Sequence, residues 1–166
     1  RDDVESRGLG DVYKRQFQEN YQSFNLFYTL SEDCMNAVSI LSDTEIAVER
    51  VQKFANSSAT TPSDSDNMMQ NMSQEIENLK SKFDDLQEII NKLDNSEIQA
   101  AYETYYSVYN SYSENASKTL GTDSNDADSF LQSTQSGSNI TEQLDEAYST
   151  LYSLIDDEVN NVLLLH

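Results

Sequence analysis

The chain has 166 residues, 30 acids against 10 bases, a net charge of −20 and 37% hydrophobic residues, with one proline, four glycines and one cysteine. That length fits one domain, and so few turn formers exclude a many-stranded β protein. The lack of clustered Lys and Arg argues against nucleic acid or an anionic membrane surface as a direct partner, a lone cysteine excludes an internal disulfide, and no stretch reaches the roughly 18 apolar residues of a membrane-spanning helix.

Residues 1–16, RDDVESRGLGDVYKRQ, stand apart. They hold four of the ten bases (Arg1, Arg7, Lys14, Arg15) and two of the four glycines, and they lack the Ser/Asn/Tyr bias that follows. The run Asp11-Val-Tyr-Lys-Arg-Gln16 resembles translated sequencing-adapter read-through at the ends of open reading frames. Residues 1–16 are therefore expected to be an extraneous segment with a frayed or arbitrary conformation, the native N-terminus lying elsewhere, and residues 17–166 to form a single helical-bundle domain.

The first predicted helix runs from about Phe17 to Asn56. Phe17, Tyr21, Phe24 and Tyr28 open its apolar stripe, and Ala37, Leu41, Val48, Val51 and Ala55 continue it after the face rotates near Leu30–Met35. Cys34 lies on this helix near its apolar face, which predicts a packed, inert thiol. The polar stretch Asn56–Asp66, with Pro62, reads as a loop, and Ser63 to Asp66 as a source of cap oxygens for the next helix.

The second helix, Asn67 to about Leu93, carries the strongest pattern in the chain. Met69, Met72, Ile76, Leu79, Phe83, Leu86, Ile90 and Leu93 alternate steps of three and four, as a seam packed along other helices requires. At Asp94-Asn-Ser96 the rhythm slips: the old phase would bury Glu97, Ala100, Thr104 and Ser107, while the apolar residues are Ile98, Tyr102, Tyr105, Tyr109, Tyr112 and Ala116. The slip predicts a break, with Asn95 left-handed and Ser96 as N-cap. The alternative is one continuous helix of roughly 80 Å with a local eleven-residue repeat.

The third helix runs from Ser96 to about Leu120, with Gly121 as its stop and Asp123 or Ser124 as the next cap. The last, about Asn125 to Leu163, contains Gln135-Ser-Gly-Ser-Asn139, a loop by composition. Phase favours helix, because Phe130, Gly137, Leu144 and Leu151 are seven apart, as are Ile140, Ala147 and Leu154; Gly137 would admit a close neighbour. The architecture expected is all-α, an antiparallel up-down bundle of four helices, or three if the second and third are continuous.

No nucleotide-binding, zinc-protease or hydrolase motif occurs. Asp123 to Asp128 starts like a calcium loop, but Ala127 and Asp128 stand at positions five and six and Thr134 at twelve, so solvated caps are the better reading. The remaining acidic clusters lack a cleft to shift their pKa. The chain is read as no enzyme, with no cofactor and no metal. The tyrosines from Tyr102 to Tyr112 offer two readings. One is an aromatic platform for a ligand or partner, using Tyr102, Tyr105, Tyr106 and Tyr109. The other is core packing, completed by Tyr148 and Tyr152, with Tyr106 off the stripe and the best surface candidate.

Leu93-Asp-Asn-Ser-Glu-Ile98 followed by Tyr102-Glu-Thr-Tyr-Tyr106, within a long acidic helical pattern over about 64–163, resembles the uncharacterised secreted or lipid-anchored helical-bundle proteins of Gram-positive bacteria. Those proteins often have proline where Ser96 stands here. The resemblance implies an extracytoplasmic location and carries over no functional residue. The expectation is a non-enzymatic interaction or structural module with a protein or cell-envelope partner, monomeric or weakly self-associating. The alternatives are a ligand-sensing extracellular bundle with a pocket near Tyr102–Tyr112, and an intracellular or phage coiled-coil scaffold.

Overall fold

The computed structural model describes residues 2–60, 65–122 and 126–165. Four helices follow in chain order: α1 (Asp2–Thr60), α2 (Ser65–Leu93), α3 (Ser96–Gly121) and α4 (Ala127–Leu165), with no strand among the described residues.

Pairings across the helices set the topology. Arg50 faces Glu75 and Lys82 faces Asp43, each at 3.6 Å, so α2 runs antiparallel to α1. Phe83 packs on Tyr105, Tyr106 and Tyr109, which makes α2 and α3 a hairpin about the Asp94–Asn95 turn. Tyr105 meets Tyr148 and Asn115 meets Ser133, so α4 descends along α3. Ser42 meets Tyr148 and Gln52 meets Thr134, closing the ring against α1. The result is an up-down four-helix bundle; the three-helix alternative is excluded.

The break between α2 and α3 falls where the register slips, one residue earlier than expected. Asp94 is left-handed, with φ 49°, and Asn95 is the N-cap, its Oδ1 accepting from the backbone N–H groups of Glu97 and Ile98 at 3.0 and 3.1 Å. A short acceptor side chain suits the cap and an Asp tolerates the left-handed region, so Asn95 does the capping expected of Ser96. Asn95 also donates to Glu158 of α4 at 3.0 Å. At the other end, α3 reaches Gly121 without a positive φ there, and Thr122 closes it on Thr119 O. The expected caps Ser63, Asp64, Asp123 and Ser124 lie outside the described residues. Asp126 caps α4 instead, with Oδ1 3.3 Å from the Ser129 N–H.

The core follows the phased positions. Cys34, Ala37, Leu41, Val48, Val51 and Ala55 of α1 are buried, as are Met72, Leu79, Phe83, Leu86, Ile90 and Leu93 of α2. On α3 the buried set is Ile98, Tyr102, Tyr105, Tyr109, Tyr112, Ala116 and Thr119. α4 contributes Phe130, Leu144, Leu151 and Ile155.

α1 is longer than expected at both ends. It begins at Asp2, taking in residues 2–16 as helix, and ends at Thr60, four residues beyond Asn56. Extending a formed helix adds one hydrogen bond per residue fixed, without the cost of a new nucleus. Phe17, Tyr21, Phe24 and Tyr28 do not enter the core: they are 58–71% exposed. The register that sets Asp43 against Lys82 places the α2–α3 turn level with about Ser31, and the one that sets Ser42 against Tyr148 carries α4 to the level of about Asn25, so α1 runs on past α2 and α3 as an arm and passes the end of α4 at about Phe24. Residues 6–28 of this arm span roughly 35 Å at about 1.5 Å per residue.

Candidate functional site

The tyrosine-rich stretch is mostly interior. Tyr102, Tyr105, Tyr109 and Tyr112 occupy the three-four rhythm of α3 and are buried. Phe83 stacks on Tyr109 with ring centroids 4.0 Å apart and lies 5.4 Å from Tyr105. Tyr102 donates to the Phe83 carbonyl at 3.2 Å. Tyr105 lies 2.9 Å from Thr44 Oγ1, and because that hydroxyl is 2.6 Å from Leu41 O and gives its one proton there, Tyr105 is the donor. Tyr112 donates to Gln52 Oε1 at 3.2 Å. Burial drives the pKa of Tyr102, Tyr105 and Tyr112 upward, so these phenols stay protonated donors. Of the four tyrosines proposed as a platform, only Tyr106 reaches solvent, 38% exposed and stacked on Tyr102 at 5.9 Å. One ring is not a platform. Tyr148 and Tyr152 extend the aromatic layer at the surface of α4.

A polar layer lies nearer the α1–α2 end. Gln52 accepts from Tyr112 and donates 3.0 Å bonds to Asn56 Oδ1 and Thr134 O. Asn115 donates to Ser133 O at 2.9 Å, and the Thr119 and Ser133 hydroxyls are bonded to each other. Gly137 sits in the middle: a Cβ there would lie 2.8 Å from Gln52 Oε1 and 3.0 Å from Asn115 Nδ2. These bonds and that close approach hold Gln135–Asn139 helical despite its loop-like composition. Its sequence signal was present, since Thr44, Thr119 and Thr134 are polar residues standing in phase with apolar stripes.

A groove of about 350 Å³ runs beside this layer between α1 and α4, lined by Glu45, Glu49, Lys53, Asn56, Thr141 and Asp145 among others. Glu45 Oε2 is enclosed. Burial first, then the adjoining Asp145 carboxyl and the charge of Glu49, push the Glu45 pKa up to about 8. A second groove of about 290 Å³ lies between α3 and α4 at Ala101, Thr104, Val108 and Ala147. No tyrosine lines it, although it falls in the region where a pocket was expected. Cys34 is fully buried, and burial followed by the charges of Glu158 and Asp33 pushes its thiol to about 11, which disfavours the thiolate. Among the described residues no three His, Cys, Asp or Glu side chains are placed to hold a metal ion, and no helix is long and apolar enough to cross a membrane.

Most of the exposed large hydrophobic side chains among the described residues lie on the α1 arm. Phe17, Tyr21, Phe24 and Tyr28 form one row, with Phe17 and Tyr21 stacked at 6.5 Å. The row continues, in phase, the side of α1 that faces α4 in the bundle at Ser42, Glu45 and Gln52. Tyr13 extends it outward and Met35 inward, both more than 60% exposed.

Among known proteins, the model of a domain of unknown function, DUF932, matches residues 10–148, from the arm to the middle of α4. No curated protein matches the chain significantly, and no solved structure does.

Proposed function

The chain belongs to the DUF932 family, and we propose that it is a non-enzymatic interaction module, a rigid bundle that presents the α1 arm as its docking surface outside the cytoplasm. The observation that carries this reading is the exposed row Phe17, Tyr21, Phe24, Tyr28 on a helix projecting from an otherwise closed core. Contiguous exposed aromatic surface of this kind marks interaction sites, and aromatic residues dominate binding energetics. The extracytoplasmic placement is supported by the resemblance carried by residues 93–106 and is checked by fractionating the cells that make the protein.

The docking role is tested by placing a photo-crosslinking amino acid at position 21 of the full chain, and in a control at the exposed Glu77 on α2. Discrete adducts from position 21 and none from position 77 are expected in the native cells. Equal or absent adducts at the two positions overturn the reading.

A ligand-sensing bundle is the second reading, favoured by the α1–α4 groove and its enclosed Glu45. A small cationic ligand such as a polyamine would suit Glu49 and Asp145 there, with Glu45 giving up its proton as the cation binds. Raised thermal stability in its presence, lost on Glu45→Gln, would support this reading.

A further inference from the structure

The geometry points to a second copy of this chain as the occupant of the arm, laid antiparallel against it in a symmetric helix pair. The inference rests on the reading of the arm as a docking surface and names what docks there.

Four observations converge on it. The first is spacing. The exposed row steps four, three, four, so Phe17 and Tyr28 are symmetric about a point between Gln22 and Ser23, and so are Tyr21 and Phe24. A two-fold axis at that point sets Phe17 against the second copy's Tyr28 and Tyr21 against its Phe24. Such a surface is complementary to itself, which is what an isologous interface requires. In seam terms, each layer joins an a to a d position.

The second is area. Aromatic side chains bury roughly 150–250 Å² each. With the four at 58–71% exposure, each arm offers on the order of 500 Å². Two arms together then cover about 1,000 Å², the size at which a specific interface begins. The pair is expected to be weak rather than obligate.

The third is charge. Glu32 and Asp33 make the inner end of the row acidic. Antiparallel pairing keeps the two acidic ends apart. Parallel pairing would stack like charge on like and is disfavoured in a chain of net charge −20.

The fourth is the helix itself. An isolated helix of 12–15 residues is marginal in water, and most helical stability in proteins comes from packing an amphipathic face. The arm has that face, α2 and α3 stop short of it, and α4 ends level with about Asn25, beside the inner end of the row.

The test is light scattering on the full chain from micromolar to several hundred micromolar. The wild-type mass is expected to double across that range, and Tyr21→Lys/Phe24→Lys to remain monomeric throughout. Both residues lie outside the core, so the thermal transition of the bundle serves as a folding control. A monomeric wild type at every concentration overturns the inference. So does a dimer indifferent to Tyr21→Lys/Phe24→Lys, or a higher oligomer. Crosslinking at position 21 separates the two levels: adducts to another protein with a monomeric chain sink the dimer and keep the docking role, and no adducts at all sink both.

Discussion

The two halves of α1 share one helix and one rhythm and differ in almost everything else. From Cys34 to Ala55 the apolar row is buried against three other helices, with Leu41 and Val51 wholly enclosed. From Phe17 to Tyr28 a row of larger, aromatic side chains meets water. Periodicity reports which side of a helix is apolar; whether that side is covered depends on where the neighbouring helices turn. Here the α2–α3 hairpin turns at Asp94–Asn95, level with about Ser31, and the arm begins there.

That contrast can be broken or sharpened experimentally, starting with the largest effect. Phe83→Ala removes the ring on which Tyr105 and Tyr109 pack and should cost about 3–5 kcal/mol in denaturant unfolding. Phe24→Ala on the arm should cost under about 0.5 kcal/mol under dilute conditions. Equal losses would mean the arm is packed into the folding unit.

Gly137→Ala sets helix propensity against space. The gain of about 1 kcal/mol expected of Ala over Gly is opposed by a Cβ only 2.8 Å from Gln52 Oε1. Gln52 cannot swing away without losing its bonds to Tyr112 and Thr134, each worth about 1–3 kcal/mol if left unsatisfied. A net loss of about 1 kcal/mol is expected, whereas Gly10→Ala on the arm, with nothing within 4 Å, should raise helicity by circular dichroism and leave the bundle transition unchanged. Asn95→Ala should cost about 1 kcal/mol through the lost cap, read as a lower urea midpoint at unchanged slope.

The smallest effect is a pH dependence. Glu45 has a folded pKa near 8 against an ordinary value of 4.5. The folded state holds its proton between those values while the unfolded state has lost it, so stability falls as pH rises from about 5 to 8. The other groups facing it are Glu49 on α1, Asp145 on α4, and Tyr105 on α3, whose buried phenol stays neutral over this range. Glu45→Gln should flatten that slope and raise Tm at pH 8 by about 2–4 °C. A steeper slope in the variant would contradict the assignment.

Much of the bundle was legible because its helices obey one rule. The phase slip after Leu93 announced the break, and the rows of α2, α3 and α4 predicted which residues are buried. Gln135–Asn139 was decided by Gly137 standing seven residues from both Phe130 and Leu144, with Ile140, Ala147 and Leu154 on the companion row. What was not legible depends on contacts between helices. The row carrying Phe24 stands about 100° round α1 from the one carrying Leu41, and local sequence does not say which of the two the other helices cover, nor does it place Glu45 against Asp145, 100 residues away. The tyrosines gave a half-answer: their spacing put Tyr102, Tyr105 and Tyr109 inside and Tyr106 out, and their number suggested a platform that burial does not leave.

The central claim is that the arm is free in the monomer and covered when the protein acts. Amide hydrogen exchange along α1, at two protein concentrations, tests it most directly. Residues 6–24 should exchange quickly in dilute solution and become protected at several hundred micromolar, while residues 37–58 stay protected in both. Uniform protection along the whole helix at dilution, or an arm equally unprotected at both concentrations, would contradict it.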